Sequence, residues 1–255
     1  MIPSERRDFI YRHVHEYQLA AIPALAELMS VSHMTVRRDI RVLEEQGKVV
    51  SVSGGVRLSD TLRQELAYSE KARLHHRHKC EIGKYAASLV EDGQVVYLDA
   101  GTTTFEIARS LAERFNLTIV TNDFSILQHL MNKPQLSLFH TGGQVDQRNY
   151  SCVGNSAAML LRTLNIDIAF ISTSSWDLAH GVSTPHEEKV LVKQALLEVA
   201  RRRVLVSDSS KFGKYGMFRV CPLEALDDIL CDAALPPAVQ QQLRERGLHL
   251  HSITF

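Results

Sequence analysis

Residues with the chemistry to read DNA are grouped within seven positions near the N-terminus, where Thr35, Arg37, Arg38 and Arg41 follow one another closely. A guanidinium group can pair bidentately with guanine or with a phosphate. In a helix-turn-helix, the second helix enters the major groove and presents the residues of its N-terminal part to base edges. The pattern therefore predicts binding to double-stranded operator DNA. The candidate contacts are Ser32, His33, Thr35, Arg37, Arg38, Arg41 and Arg57.

The elements that would position these side chains are indicated by apolar spacing. Apolar residues recur at helical intervals over 22–29 and again over 36–43, which predicts two short amphipathic helices. Ser32 is placed to accept a free backbone N–H at the start of the second helix, and Gly47 is placed to end it. The run 49–57 predicts two short strands around a glycine turn. This small wing would carry Arg57.

A less specific interpretation of the same segment is a pair of amphipathic helices whose arginines are merely solvated. Residues 32–57 contain five Lys or Arg against three acidic residues, and the whole chain has a formal net charge of zero. Bulk charge therefore does not argue for nucleic acid. If the segment binds DNA, the electrostatic footprint is local to this helix and wing.

A second group of residues has the chemistry of an anion and sugar site. Gly101 and Thr102–Thr104 are predicted at a helix N-terminus, where free N–H groups and the helix dipole favour a phosphate. Lys211 would supply a cation. Carboxylate and amide oxygens of four residues could accept hydrogen bonds from sugar hydroxyls: Asp99, Asn122, Asp123 and Asp208. Glu187 and Glu188 either cap a helix or face the ligand. The simpler alternative is that the threonines only start a helix and that Gly142 and Gly143 only form a turn.

These polar clusters each follow a short apolar run. Apolar runs begin at Val95, Leu117, Leu136, Ile166 and Val204, with helical stretches between them and a long helix predicted from Glu70 to Val90. Such alternation predicts a mostly parallel α/β sheet that is covered on both faces. Ligands of open α/β sheets bind beyond the carboxyl ends of the strands, so the clusters should converge on one pocket. Trp176, the one tryptophan, is predicted to be a core anchor more than a ligand contact.

Length and composition set the remaining expectations. The 255 residues, 45% of them apolar, suit a small and a medium domain. We predict a winged helix-turn-helix over 1–57, a linker over 58–69 and an α/β domain over 70–255. No apolar run reaches 18 residues and the N-terminus lacks the apolar core of a signal peptide, so the expected location is the cytoplasm, without a membrane partner. The four cysteines show no metal-ligand spacing, and the histidines at 75, 76 and 78 suit an exposed helix face; neither a metal site nor a cofactor is predicted.

The string SHMTVRRDIRVLEEQGKVVSVSGGV, residues 32–56, closely resembles the DNA-binding module of the DeoR family of bacterial repressors. Within it, Asp39 is interpreted as structural, bracing a neighbouring arginine or a backbone group. The strings YLDAGTTT, TND, HTGG, DIAFIS, GVSTPHEEKVLVKQALL and VSDSSKFG extend the resemblance to the family's sensor domain, so that it covers roughly residues 3–250.

The resemblance implies a sensor fold like that of ribose-5-phosphate isomerase and CoA transferases. It further implies repression of sugar catabolic genes, release by a phosphorylated sugar, and a homo-oligomer, either dimer or tetramer. The implied effector contacts are Asp99, Gly101, Thr102, Thr103, Thr104, Asn122, Asp123, Gly142, Gly143, Glu187, Asp208 and Lys211. One segment departs from the family: where many members carry a Gly-Ala-Asp-Gly-like loop, this chain has Ser172–Trp176. The hydroxyl-reading end of the pocket is therefore expected to differ, and an acidic or short sugar derivative becomes an option for the ligand.

Two other functions fit parts of the sequence less well. An aldose–ketose phosphate isomerase with an added module would need a carboxylate base, for which Glu187 or Glu188 could serve. The chain lacks a lysine-and-glycine run like that of the isomerase active-site loop, which argues against an enzyme. An RNA-binding protein would need aromatic stacking patches, which the sequence does not show.

Overall fold

The computed structural model describes residues 1–17, 19–46, 48–59 and 61–254, and the side chains of residues 15 and 16 also fall outside the description. The described chain forms two compact units, 1–64 and 65–255. The predicted helix stop at Gly47 lies outside the described residues. No helix in the described ranges has the length and apolarity to cross a membrane.

The first unit is a winged helix-turn-helix. Its elements are α1 (Pro3–Tyr17), β1 (Leu19–Ala21), α2 (Ile22–Met29), α3 (His33–Glu45), β2 (Val49–Val52), β3 (Gly55–Leu58) and the two-residue strand β4 (Thr61–Leu62). The antiparallel pair β2–β3 is the predicted wing, and β1 pairs with the other edge of β3. The apolar faces of α1, α2 and α3 pack together around Ile10, Leu25, Val36 and Leu43. Sequence reasoning missed α1 and β1.

The second unit begins with two helices and then alternates strands with helices. Its elements are α4 (Tyr68–Arg73), α5 (His76–Ser88), β5 (Val95–Leu98), α6 (Thr102–Leu111), β6 (Leu117–Thr121), α7 (Phe124–Leu130), β7 (Leu136–His140), β8 (Gln144–Asp146), β9 (Ser151–Val153), α8 (Gly154–Leu161), β10 (Ile166–Ser172), β11 (Ser175–Asp177), β12 (Gly181–Thr184), α9 (Glu187–Val199), β13 (Ala200–Ser207), β14 (Tyr215–Gly216), β15 (Phe218–Cys221), β16 (Asp228–Asp232), α10 (Pro237–Glu245) and β17 (His249–Ile253), with short 3₁₀ turns at Ser209–Lys211 and Leu223–Ala225.

Seven of these strands form one parallel sheet in the order β17-β16-β13-β10-β5-β6-β7. The five predicted apolar runs all lie in it, so the mostly parallel α/β prediction is confirmed. Alternate residues of β10 enter different cores, with Ile168 and Phe170 on one face and Ala169 and Ile171 on the other. Both faces of the sheet are therefore buried, as a parallel sheet requires.

The predicted single helix from Glu70 to Val90 is wrong. The structure has two helices, α4 and α5, because Leu74 is extended and His75 adopts φ 52°, ψ 33°, in the left-handed region that an α-helix cannot contain. Neither glycine nor proline marks the break, so local sequence gave no signal for it. Its consequence is that Lys71 and Lys79 lie on different helices, although the ammonium of Lys79 donates to the carbonyl of Lys71.

Candidate functional site

The DNA-reading candidates lie at the start of α3 and on its exposed face. Ser32 is the N-cap: its hydroxyl accepts a hydrogen bond from the backbone N–H of Thr35 at 3.2 Å, which confirms the predicted cap. Arg37, Arg38 and Arg41 are exposed on the face opposite the apolar stripe, and His33 is exposed in the first turn. Arg57 lies on β3 of the wing and is half-buried. The structure thus groups the predicted residues on one helix and its wing.

A buried ion pair holds this helix against α1. The guanidinium of Arg6 donates from Nε to Asp39 Oδ2 at 2.7 Å and from Nη2 to Oδ1 at 3.4 Å. Arg6 is 7% exposed and Asp39 is 3% exposed. The interpretation of Asp39 as the residue that braces a neighbouring arginine is confirmed, and the partner comes from α1. Asp39 is therefore turned inward and does not oppose the exposed arginines.

In the second unit, a cavity lies where strand order reverses. From β5, the chain adds β6 and β7 on one side, while β10, β13, β16 and β17 lie on the other. The carboxyl ends of β5 and β10 are therefore a switch point, where ligands of such sheets bind. Asp99 follows β5, and its Oδ2 accepts from the backbone and hydroxyl of Ser172 at 3.0 Å each. Gly101 permits this approach, since a Cβ there would lie 2.9 Å from the Cβ of Ser172.

The cavity contains a set of lysines that sequence reasoning missed, apart from Lys211. Its lining includes five lysines against three carboxylates, an excess of two positive charges. The lysines are Lys71, Lys79, Lys189, Lys193 and Lys211, and the carboxylates are Glu65, Asp99 and Asp208. The N-terminus of α6, with Gly101, Thr102 and Thr103, also lines it. The lysines come from α4, α5, α9 and the turn after β13, so no single stretch of sequence showed the cluster.

Burial and pairing set the protonation of these groups. Burial lowers the pKa of Lys79 to about 8, although Asp208 opposes the shift. Burial alone would raise the pKa of Asp208, but Lys211 and a hydrogen bond from Ser210 hold it below its ordinary value. Burial likewise acts to raise the pKa of Glu65, and the stronger combined effect of Lys189 and Lys71 holds it well below the usual range. The lowered pKa values keep the carboxyl groups of Glu65 and Asp208 ionised at neutral pH.

Several predicted effector residues have structural tasks at or beside this site, and two of them, Thr104 and Asp123, do not line the cavity. Asn122 lines the cavity, but its side chain accepts from Tyr97 at 2.8 Å and donates to the carbonyl of Cys152 at 2.9 Å. The Thr104 hydroxyl donates to the carbonyl of Asp99 at 2.6 Å. Asp123 caps α7 through the N–H groups of residues 125 and 126, and burial raises the pKa of Asp123 to about 6.

Other predicted residues lie away from the cavity lining. Gly142 and Gly143 follow β7 and do not line it. Glu187 and Glu188 line a separate groove with Arg219 and Met217. The positions of these two glycines and two glutamates therefore do not support effector contacts in the lysine-rich cavity. Trp176 is fully buried, and its indole N–H donates to the hydroxyl of Ser207 at 3.0 Å, as expected of a core anchor.

The loop that departs from the family pattern contributes neutral groups. Ser172, Thr173 and Ser174 all line the cavity. The Ser174 hydroxyl is buried and has no hydrogen-bond partner among the residues that the structure describes. A buried polar atom without a partner carries a free-energy cost unless a ligand or water meets it. This end of the cavity therefore offers an unused hydroxyl.

Outside the cavity, the structure brings together three potential metal ligands from α5 and α6. The donor atoms of His76, Cys80 and Glu106 lie within 4.8 Å of one another. Gly83 permits the contact, since a Cβ there would lie 2.7 Å from the backbone carbon of Glu106. Arg109 donates to Glu106 at 3.2 Å, so this carboxylate already has a cationic partner.

Comparisons with known proteins match both units. A model described as the DeoR-like helix-turn-helix domain matches residues 6–62, and one described as the DeoR C terminal sensor domain matches residues 74–233. An uncharacterized HTH-type transcriptional regulator of Haemophilus influenzae is 45% identical over 98% of this chain and 97% of its own length. A putative aga operon transcriptional repressor of Escherichia coli O157:H7 is 31% identical over 97% of this chain and 93% of its own. Among solved structures, ribose 5-phosphate isomerase A of Methanocaldococcus jannaschii matches with a TM-score of 0.39 and 19% identity, over 52% of this chain and 53% of that one.

Proposed function

The chain belongs to the DeoR family of DNA-binding transcriptional regulators, and from this premise we propose that it represses genes of carbohydrate catabolism and is released from its operator by a phosphorylated sugar or sugar acid. The observation that carries the effector class is the cavity's excess of two positive charges. A phosphoryl group near neutral pH carries between one and two negative charges, which matches this excess.

The geometry of the cavity supports the same ligand class. Free N–H groups at the start of α6 suit phosphate oxygens, and Lys211 belongs to the same lining. Thr103 and the free Ser174 hydroxyl provide neutral groups for the sugar. Charged and neutral polar groups therefore converge on one site, as recognition of a phosphorylated polyol requires.

On the DNA side, we propose that Arg37, Arg38 and Arg41 contact base edges and phosphates while Arg57 contacts the backbone from the wing. Paired half-sites require at least a dimer, so we propose a homo-oligomer. A ligand can release DNA only if it binds one state of the protein better than the other. The proposed effector must therefore favour a state in which the recognition helices do not fit the operator.

An isomerase is the less supported alternative. Its proposed base was Glu187 or Glu188, and both residues line a groove other than the lysine-rich cavity. The carboxylates that do line the cavity are paired with lysines or with the backbone, as Asp99 is with Lys193. The relatives are named as transcriptional regulators, which also argues for a regulator without catalytic activity.

Fluorescence anisotropy with the full chain and labelled DNA from its own upstream region tests this proposal. We expect tight, sequence-dependent binding against scrambled DNA across a salt series, and loss of binding with one member of a panel of sugar phosphates. Arg38→Ala should weaken operator binding and leave effector binding intact, whereas Lys211→Ala should do the reverse. Equal and steeply salt-dependent binding to both DNAs would show phosphate contacts alone and would contradict the operator assignment.

A further inference from the structure

A carboxylate of the protein itself fills part of the lysine-rich cavity. Oε2 of Glu65 accepts from the ammonium of Lys71 at 3.0 Å and from that of Lys189 at 3.0 Å. Lys71 also donates to the amide oxygen of Asn149. Glu65 and Lys189 are each 8% exposed. Two buried ammonium groups thus converge on one oxygen, which is the arrangement that a protein uses to hold an external anion.

The free space that remains is small. About 50 Å³ of the cavity is open to the centres of water-sized molecules, which is room for a few waters. Glu65 is the lining carboxylate that accepts from both Lys71 and Lys189. An anion can therefore bind these two ammonium groups fully only if the Glu65 carboxylate moves.

We propose that Lys71, Lys189 and Asn149 form an anion subsite which the Glu65 carboxylate occupies in this structure, and that an anionic group of the effector displaces this carboxylate. This inference rests on the proposed function, because it takes the cavity to be the effector site. The ligand class is an oxyanion: the phosphoryl group of a sugar phosphate or the carboxylate of a sugar acid.

The charges favour such an exchange. Among the lining residues, removal of Glu65 leaves five lysines and two carboxylates, so the positive excess of the lining rises from two to three. Asp146 lies outside the lining, 3.5 Å from the ammonium of Lys189, and offsets part of this charge. A phosphoryl group brings more charge and more acceptor oxygens than one carboxylate, and charge-assisted hydrogen bonds to lysine strengthen with both. When the Glu65 carboxylate moves from its buried site into water, it becomes hydrated. This hydration offsets part of the free-energy cost of breaking its contacts with Lys71 and Lys189.

The position of Glu65 gives the exchange a consequence for regulation. Glu65 is the first residue of the second compact unit, and Gln64 is the last residue of the first. Release of the Glu65 side chain therefore frees the point at which the chain enters the sensing unit. The exchange links occupancy of the cavity to the segment that leads to the DNA-binding unit.

Isothermal titration of the full chain with inorganic phosphate and, separately, with acetate tests the subsite. Glu65→Gln keeps the shape of the side chain and removes the competing charge. We expect it to raise phosphate or acetate affinity at least about tenfold, since a buried unit charge near an anion is worth more than that factor. The probe that gains identifies the group that the subsite takes. The matched control is Glu188→Gln, an exposed glutamate of α9 whose loss should change neither affinity.

A second variant guards against misfolding. Lys189→Met should abolish the gain when combined with Glu65→Gln, while unfolding followed by Trp176 fluorescence checks that each variant is folded. Unchanged affinity for both anions in a folded Glu65→Gln protein, or a gain that survives Lys189→Met, would overturn the inference. Operator binding is measured in a separate anisotropy assay. If the wild-type protein did not bind the operator DNA in that assay, the repressor proposal would be refuted. The calorimetric result on anion binding would be unaffected.

Discussion

The buried pair between Arg6 and Asp39 allows a quantitative prediction for Asp39→Ala. The pair has hydrogen bonds of 2.7 and 3.4 Å, and each residue is over nine-tenths buried. Removing one partner of such a pair leaves an uncompensated buried charge and costs about 3–5 kcal/mol. A unit of 64 residues is typically stable by about 3–10 kcal/mol. Asp39→Ala is therefore expected to remove a large part of the stability of the first unit and, with it, operator binding.

The single tryptophan allows the unfolding of the first unit to be distinguished from that of the second. Trp176 lies in the core of the second unit, so its emission in a urea titration reports on that unit, whereas far-UV circular dichroism reports on both. In Asp39→Ala we expect an early loss of helical signal at urea concentrations where tryptophan emission is unchanged. Asp8→Ala is the matched control, since Asp8 is an exposed acid on α1, the helix that carries Arg6.

A double replacement separates the charge from the packing. Arg6→Met with Asp39→Leu removes both charges and keeps apolar volume, and such replacements are often neutral or stabilising. We expect the double variant to recover most of the stability that Asp39→Ala loses. A circular dichroism curve for Asp39→Ala within about 1 kcal/mol of the wild type would refute the reasoning, because it would mean that Arg6 finds water or another partner at little cost.

Three further outcomes are expected. Arg37→Ala should weaken operator binding by about 1–3 kcal/mol in anisotropy and leave effector affinity unchanged; equal operator affinity would remove Arg37 from the interface. Because burial lowers the pKa of Lys79 to about 8, phosphate affinity should fall as the pH rises through about 8 and the ammonium loses its proton, and calorimetry of Lys79→Met should show a flatter profile. Gly83→Ala should cost about 1–3 kcal/mol in the tryptophan-monitored transition, since the new Cβ meets the backbone of Glu106 at 2.7 Å; an unchanged midpoint would contradict the close helix packing.

Features that depend on neighbouring residues could be predicted from the sequence. The apolar run at 166–171 predicts a buried strand, and β10 spans Ile166–Ser172. Ser32 precedes an amphipathic run and caps it. The polar clusters after β5, β6 and β13 meet because parallel strands end at one edge of the sheet. Each of these features follows from local pattern or from a general rule of sheet topology.

Features that depend on distant partners could not be predicted in this way. Glu65 and Lys189 are 124 positions apart and meet only in the folded unit. The break between α4 and α5 comes from the left-handed backbone conformation of His75, and a histidine in the sequence does not predict that conformation. The family resemblance implies an effector contact at Glu187, yet this residue lies at the start of α9 and lines another groove. The rule that ligands bind at the carboxyl ends of the strands predicts which backbone segments lie near a site. It does not predict the direction in which a following helix presents its side chains.

The neutral loop after β10 connects these observations to ligand choice. Ser172, Thr173 and Ser174 all line the cavity, and none of them carries a charge. An acid in that lining would reduce the cavity's positive excess by one charge, so its absence leaves this cavity better suited to a ligand with an additional negative charge. The free hydroxyl of Ser174 can donate to a carboxylate where an aspartate would repel it. The loop therefore accommodates a carboxylate on the ligand, so that a phosphorylated sugar acid and a phosphorylated neutral sugar both stay within the proposed ligand class.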